Sequence, residues 1–523
     1  MVSQKDNLEK NTRTVWSMTL LSRIAGLGRD AAISRCFGAG ATSSVFFFAF
    51  LLPNLARRLF GEGALSAAFV PAYTKLLDEN PARARALASL TIAKLLILLG
   101  TIVVLGELLL WSLIKWSPAT SDSLGLMMIM LPYMPLVCAV AVLGGILQTH
   151  GRFGPTAAAP IILNGCMITA TLLFAGFFTT TENHMAMVGI AVVIAGVLQV
   201  AWSLYALRNV HWWTRETACG KDDLQSMVRK LVPTIIGMGT MQLNTMIDGL
   251  IASYPILIGS TFFGLAYPLS DGANASLNFA SRLYQFPLGV FGIAVGTAIF
   301  PLLASQAKNR EAFAQTVRRS LRLVVFVGLP ASAGLMIVRD LLSGAVYQGG
   351  LFTSGDTEEV GFILLGYATA IWAYSMTQVL TRAFYAVEDI RTPVKIAVRM
   401  VILNVVLNVS LIWTPLGTAG LAWSTAFCAV VQAAILMRLI RKHVDFPADR
   451  TVVTSWCKTS VATLIMAAVV WMIVAYTPEA ATLSWSSLLT TLAICVVAGI
   501  LVFGICVHIF KMDERKWILG SRT

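Results

Sequence analysis

The sequence predicts an all-α polytopic membrane protein with fourteen transmembrane helices, arranged as two six-helix lobes in a parallel pseudo-two-fold repeat and followed by two C-terminal helices. Of the 523 residues, 57% are hydrophobic and 12% are charged, whereas a soluble domain carries about a quarter charged residues. Apolar runs of about 20 residues recur along the whole chain, enough to cross ~30 Å of hydrocarbon as helices. The placement of the basic residues predicts the topology, and an internal repeat predicts the two lobes.

The apolar segments differ in polarity. Segments 1, 2, 7 and 8 are the richest in Gly, Pro and polar residues, which transmembrane helices tolerate where they line a cavity instead of lipid. The fourteen predicted spans are 15–36, 42–71, 88–113, 123–149, 156–178, 186–207, 228–256, 274–304, 318–338, 360–386, 394–413, 417–438, 455–475 and 486–509.

Lysine and arginine fall mainly in alternate loops. With an even number of spans both termini lie on one side of the membrane, and the polar segments on that side hold 30 of the 39 basic residues. The loops on the other side hold only Arg35, Lys115 and Arg339. By the positive-inside rule both termini are cytoplasmic. This topology also explains the net charge of +13 without a nucleic-acid partner.

An internal repeat divides the chain. RFGPTAAAPIILN at 152–164 resembles RTPVKIAVRMVILN at 391–404, and GIAVVIAGVLQ at 189–199 parallels GLAWSTAFCAVVQ at 420–432. The offset corresponds to six spans, so each span keeps its orientation in the second half and the repeat is parallel. Convergent apolar composition is the alternative explanation. The predicted divisions are 1–220 (spans 1–6), 221–445 (spans 7–12) and 446–523 (spans 13–14).

Four arginines are embedded in apolar sequence where a bilayer would disfavour a charge: Arg23, Arg29, Arg57 and Arg282, with Arg58 next to the third. A charge at the bilayer centre costs at least ~2.5–3.5 kcal/mol, so such residues usually face a cavity and have a function. Guanidinium groups bind phosphate oxygens in a bidentate manner. We therefore expect an anionic substrate, with a diphosphate as the natural ligand. The repeat makes spans 1, 2, 7 and 8 partners, so these charges are expected to converge.

Three acids accompany these arginines. Asp30 lies on nearly the same helix face as Arg23, and Glu62 lies one turn beyond Arg58. The alternative is that both are internal ion pairs with a structural role, although two acids cannot neutralise every arginine. Asp248 is the only acid inside span 7. It is expected either to pair with an arginine or to bind a coupling cation or proton.

Motifs for catalysis or metal binding are missing from the sequence. The eight cysteines form no CxxC pair, the five histidines have no metal-ligand spacing, and there is no P-loop or GxSxG motif. We therefore expect a protein that is not an enzyme and that uses no metal or organic cofactor.

Six segments resemble the MurJ/MviN lipid II flippase family, and together they extend over nearly the whole chain. The first, second and fourth are specific to that family. The segments are SRIAGLGRDAAISRCFGAG (22–40), LPNLARRLFGEGALSAAFVP (52–71), GGILQTHGRFGPTAAAPIILN (144–164), RLYQFPLGVFGIAVGTAIFP (282–301), VYQGGLFT (346–353) and AFYAVEDIRTPVKIA (383–397).

The resemblance implies the fold of the multidrug/oligosaccharidyl-lipid/polysaccharide (MOP) exporter superfamily, two six-helix lobes in a V, with two additional C-terminal helices. It implies a flippase that moves lipid II, the undecaprenyl-diphosphate-linked disaccharide-pentapeptide, between the leaflets of the bacterial cytoplasmic membrane for peptidoglycan synthesis. The implied partners are lipid II, membrane lipids and the cell-wall synthesis machinery. The family's cavity residues correspond to Arg23, Arg29, Asp30, Arg57, Glu62 and Arg282.

The chain departs from the family pattern at four positions. Enterobacterial members carry an aspartate where this chain has Ser44, and acids where it has Ser281 and Gln285, whereas Asp248 replaces a polar neutral residue. Ser44, Gln285 and Asp248 are therefore candidates for gating or ion coupling. The stretch 254–273 is longer than usual and has no assigned role.

The expected mechanism is alternating access, driven by the membrane potential or by a coupled monovalent cation. One alternative is a flippase for another polyprenyl-diphosphate oligosaccharide. A second is a MATE-like cation-coupled exporter, which would require acidic residues instead of arginines in order to bind cationic drugs. A third, a non-transporting scaffold, would have no reason to keep four arginines inside the membrane.

Overall fold

The structure is a computed structural model that describes residues 2–61, 64–116, 121–289 and 294–519. Helices make up most of these ranges. In chain order they are α1 (Val2–Phe37), α2 (Ala41–Ala56), α3 (Ala64–Glu79), α4 (Pro81–Trp116), α5 (Ser121–Met130), α6 (Tyr133–Thr149), α7 (Gly154–Leu173), α8 (Thr181–Leu207), α9 (Lys221–Ala252), α10 (Tyr254–Leu257), α11 (Ala273–Pro287), α12 (Ala294–Gln306), α13 (Arg310–Ile337), α14 (Arg339–Tyr347), α15 (Ser354–Ala368), α16 (Ile371–Ala386), α17 (Arg391–Leu411), α18 (Ala419–Leu439), α19 (Arg450–Ala475), α20 (Trp485–Ile509) and α21 (Glu514–Leu519).

Several of these helices are long and apolar enough to cross a bilayer. Among the described residues there are nine such segments, and α15 and α16, which bend by 41°, form a tenth if they are one span. The nine segments are Pro81–Trp116, Ser123–Thr149, Gly154–Leu173, Thr181–Leu207, Arg310–Ile337, Arg391–Leu411, Ala419–Lys442, Arg450–Ala475 and Trp485–Ile509. The prediction of a multi-pass α-helical membrane protein is confirmed. The helices that cover predicted spans 1, 2, 7 and 8 are outside this set. Spans 2 and 8 are divided into helices of 13 to 16 residues, each shorter than the ~20 residues that cross a bilayer.

The predicted second span is not a single regular helix. It begins as α2, passes through a π-helical turn at Arg57–Gly61, and continues as α3 from Ala64. Pro53 lies inside α2, where its missing N–H and its ring disturb the regular hydrogen-bond ladder. A π-helical turn inside a helix often marks a functional site.

The chain forms two compact units, Met1–Ala275 and Ser276–Thr523. In the first, α1 packs on α7, α7 on α8, and α3 on α4, α6 and α9. Its largest fully buried side chains include Tyr73, Tyr133 and Phe46. In the second, α13 packs on α16 and α19, α17 on α18, and α19 on α20. The predicted boundaries at 220 and 445 stay predictions.

A β-hairpin connects α10 to α11. Its strands, β1 (Thr261–Phe262) and β2 (Leu265–Ala266), are antiparallel, with Thr261 opposite Ala266 and Phe262 opposite Leu265. The hairpin explains why the stretch 254–273 is long.

Candidate functional site

The centre of the candidate site is a buried ion pair on α1. The Nη2 and Nε atoms of Arg29 donate to Oδ1 of Asp30 at 2.6 and 2.9 Å, and the two residues are only 6% and 1% exposed. Leaving either charge alone in this environment would cost about 3–5 kcal/mol. The spacing in the sequence favoured Arg23 as a partner of Asp30, but the structure pairs Asp30 with its neighbour.

Asn164 of α7 completes this cluster. Its Oδ1 accepts a hydrogen bond from Nη1 of Arg29 at 3.1 Å, and its Nδ2 donates to the Ser22 carbonyl at 3.2 Å. One amide therefore orients the guanidinium and also attaches α7 to α1. Arg23, one residue beyond Ser22, has an exposed side chain.

Arg57 and Arg58 begin the π-helical turn, and both are partly buried. Arg57 donates through Nε and Nη2 to Oδ1 of Asn54, at 3.1 and 2.9 Å. Nη1 of Arg58 donates to Oε1 of Gln242 on α9, at 3.2 Å. These two amides are neutral, so they hold the guanidinium groups in place without adding negative charge. Glu62, the predicted partner of Arg58, lies outside the described residues.

Asp248 is buried on α9, at 6% exposure. Nδ2 of Asn244, one turn earlier, lies 3.4 Å from its Oδ2. Asp248 lies in the unit Met1–Ala275, whereas the predicted division assigns span 7 to residues 221–445. Its role in pairing or coupling stays a prediction.

Ser44 caps α11, a helix more than 200 residues later in the chain. Its Oγ accepts a hydrogen bond from the Ala275 amide in the first turn of α11, at 3.0 Å, and its carbonyl accepts one from Nδ2 of Asn274 at 3.1 Å. The first N–H groups of a helix have no partner within the helix. Ser44 satisfies one of them, and this contact fastens the beginning of α2 to the beginning of α11.

The second unit carries Arg282 and Gln285 on α11, both partly buried. Tyr284, between them, stacks on Tyr367 and Tyr374 with ring centroids 4.5 and 5.8 Å apart. This aromatic stack fixes the rotation of α11 in its unit, and therefore the direction in which Arg282 leaves the helix.

Three functional candidates were missed by the sequence reasoning: Asn164, Gln242 and Asn274. Only Asn164 carried a detectable signal, because it ends the first copy of the repeat, where the second copy ends at Asn404. Asn404 is also buried and donates to the hydroxyls of Ser424 and Thr425. The repeat therefore conserves a buried asparagine at equivalent positions.

The helical fold of this chain is similar to the folds of solved membrane transport proteins. A multidrug resistance MATE family transporter in an inward-facing conformation matches with a TM-score of 0.65 and 14% identity, over 82% of this chain and 97% of that chain. A structure described as lipid II flippase MurJ, inward closed conformation, matches with a TM-score of 0.78 and 23% identity, over 95% and 99% of the two chains.

The sequence comparisons define the family. The family described as lipid II flippase MurJ matches residues 33–505. A probable lipid II flippase MurJ from Vibrio cholerae is 32% identical, over 90% of each chain. Another from Haemophilus influenzae is 30% identical, over 88% of this chain and 91% of the relative. The chain belongs to the MurJ family, so the resemblance seen in its motifs is confirmed and the MATE-like alternative is not favoured.

Proposed function

We propose that this protein moves lipid II from the inner to the outer leaflet of the bacterial cytoplasmic membrane by alternating access. The observation that carries the proposal is the family match across residues 33–505, with relatives named lipid II flippases. The buried Arg29–Asp30 pair supports the proposal. Burying a charge pair is energetically costly, and charged residues inside membrane helices usually have a function in transport or binding.

The diphosphate of lipid II is the group that the arginines bind. In this proposal Arg23, Arg29, Arg57, Arg58 and Arg282 supply the guanidinium groups, whose forked donors match phosphate oxygens. Asp30 and Glu62 position arginines without neutralising all of them. Asn164, Asn54 and Gln242 hold three of these guanidinium groups in fixed orientations.

The proposed architecture has fourteen spans in two six-helix lobes and two C-terminal helices, with both termini in the cytoplasm. The lipid tail remains in the bilayer while the headgroup crosses. A potential that is negative inside favours outward movement of a negative headgroup by ~2.3 kcal/mol per charge per 100 mV. A monovalent cation at Asp248 is the second proposed source of energy, and no other cofactor is needed.

Gating is assigned to Ser44 and Gln285. Ser44 fastens α2 to the start of α11, and release of this contact would free one end of α11. Gln285 lies one turn from Arg282 on the same helix. The proposed partners are the enzymes that synthesise lipid II and those that polymerise it, since transport must connect the two.

The test is complementation of a flippase-depleted bacterium, with lipid II accumulation as the readout. Arg29→Ala and Arg282→Ala should insert into the membrane but fail to support growth. The control is Arg310→Ala, which removes an exposed arginine paired with Asp445, and it should complement. Growth with both cavity variants would refute the arginine mechanism. Normal complementation by Asp248→Asn would remove Asp248 from any coupling role.

A further inference from the structure

The hairpin between α10 and α11 exposes apolar side chains at its tip. Phe263 is 93% exposed, Ile258 71% and Leu265 63%. Phe263 and Gly264 form the two-residue turn, and both have positive φ, 49° and 82°. A hairpin turn of this kind strongly prefers Asn, Asp or Gly, and a bulky side chain at positive φ is a genuine outlier. Phe263 therefore occupies a turn position whose backbone conformation disfavours phenylalanine, and its side chain is exposed.

The base of the hairpin is held by an aromatic stack and two hydrogen bonds. Tyr254 stacks on Tyr267 with ring centroids 4.3 Å apart. The Tyr254 hydroxyl donates to the Thr261 carbonyl and the Tyr267 hydroxyl to the Ile251 carbonyl, both at 3.0 Å. These contacts attach the hairpin to the end of α9 and fix the position of its exposed tip relative to that helix.

The surroundings of the tip indicate what it contacts. Residues 249–270 contain no charged side chain and no histidine, whereas the rim of a protein–protein interface is polar. Helix α9, which precedes the hairpin, also exposes apolar side chains: Leu243 and Leu250, seven residues apart on one helix face, are 48% and 41% exposed. Tyrosines at the base and apolar residues at the tip match the order of polarity at a membrane surface, where tyrosine is enriched at headgroup level.

We propose that the hairpin tip, Ile258, Phe263 and Leu265, inserts into the lipid leaflet beside the end of α9. The insertion anchors the segment that joins α9 to α11, whose first turn is held by Ser44. The hairpin is therefore a lipid anchor next to the proposed gate. This inference depends on the chain being a membrane protein and not on the substrate that it transports.

Photocrosslinking in the full-length chain tests the proposal. A benzoylphenylalanine replaces Phe263 in cells whose phospholipids carry ³²P, and a second variant carries the probe at Asp271, an exposed charged position at the base of the same segment. The probe at 263 should give several-fold more labelled lipid adduct than the probe at 271. A protein adduct as the main product, or equal lipid labelling at both positions, would overturn the anchor.

Hydrogen exchange in lipid nanodiscs provides a test that does not depend on the probe. Phe263→Asn introduces a residue that the turn favours, so the hairpin should keep its fold while the apolar tip is lost. Amides of residues 258–267 should exchange several-fold faster in Phe263→Asn than in the wild type, and Phe263→Leu should remain close to the wild type. Equal exchange in all three proteins would contradict lipid insertion.

Discussion

At the scale of single residues, the most informative contact is the one between Arg29 and Asn164. An ion pair between adjacent residues on one helix needs a third group to fix its direction, and Asn164 supplies an acceptor at 3.1 Å. The same amide contacts the Ser22 carbonyl. The position of the proposed phosphate-binding guanidinium therefore depends on helix α7 as well as on α1.

This dependence predicts different effects for two substitutions at Asn164. Asn164→Leu removes the acceptor that Asn164 offers to Nη1 of Arg29. A hydrogen bond to a charged group contributes about 1.5–3 kcal/mol, so the melting temperature in detergent should fall and complementation should weaken. Asn164→Asp retains an acceptor but adds a negative charge beside Arg29, so it should retain more stability and still transport poorly. Thermal unfolding and growth of the depleted strain measure the two properties.

The matched control for this position is Asn183→Ala on α8, where the side chain is exposed. It should leave both the melting temperature and growth close to wild type. If Asn164→Leu behaved like this control, Asn164 would have no part in holding Arg29.

From the sequence we could predict which charged residues lie in membrane helices. We could not predict which groups their side chains contact. The apolar flanks of Arg29, Asp30 and Asp248 are visible in the chain, and all three residues are buried. The neutral partners Asn164 and Gln242 lie 135 and 184 residues from their arginines. Polar amides occur throughout the chain, and only the packing of helices selects these two.

At the scale of elements, contacts between helices coincide with a break inside a predicted span. The predicted span 360–386 is two helices that bend by 41° near Thr369, although the sequence there contains no proline. Gly366 lies so close to α18 that an added Cβ would be 2.9 Å from the Ala422 Cβ. This tertiary contact lies close to the bend and is invisible in a hydropathy pattern.

The cap that Ser44 provides to α11 gives a prediction at this scale. Ser44→Ala leaves the Ala275 amide without this acceptor, and loss of a helix cap typically costs about 0.5–2 kcal/mol. The melting temperature should fall, and exchange of the amides in the first turn of α11 should accelerate. Ser305→Ala is the control, since that exposed hydroxyl bonds within its own helix. Unchanged exchange in Ser44→Ala would show that the cap does not hold α11.

Asp449, the N-cap of α19, gives a pH-dependent prediction. Burial raises the pKa of Asp449, but hydrogen bonds from Thr451 and the Val452 amide, together with the Arg318 charge, outweigh it and leave the pKa below its ordinary value of 3.8. A lowered pKa stabilises the folded state above the unfolded-state value of about 3.9, and this contribution is lost as the pH falls through the folded-state pKa.

The measurement compares the wild type with Asp449→Asn, which keeps a good capping side chain without the charge. The wild type should have the higher melting temperature at pH 7, and the difference should disappear as the solution is acidified below about pH 4. A difference that stays constant with pH would mean that the Asp449 charge does not contribute.

At the scale of the whole molecule, the membrane class and the family could be predicted from the sequence. Composition and the recurring apolar runs are global properties, so they remain visible even where individual boundaries shift by several residues. The hairpin at 261–266 could not be predicted, because its short strands are apolar and merge with the hydropathy of the helices around them. The repeat is visible at Asn164 and Asn404, where burial preserves the residue.

The proposed topology leads to a prediction about two accessible positions. Cys219 is an exposed native cysteine in the loop before α9, and Thr179 is exposed in the loop before α8. In the proposed topology the first loop is cytoplasmic and the second lies outside. A membrane-impermeant maleimide should label Thr179→Cys in intact spheroplasts, but should label Cys219 only after the membrane is permeabilised. The Cys219→Ser variant lacks this cysteine and keeps the others, so the labelling that it loses is the labelling of Cys219. Labelling of Cys219 in intact spheroplasts would contradict the proposed orientation and place the loop before α9 outside the cytoplasm.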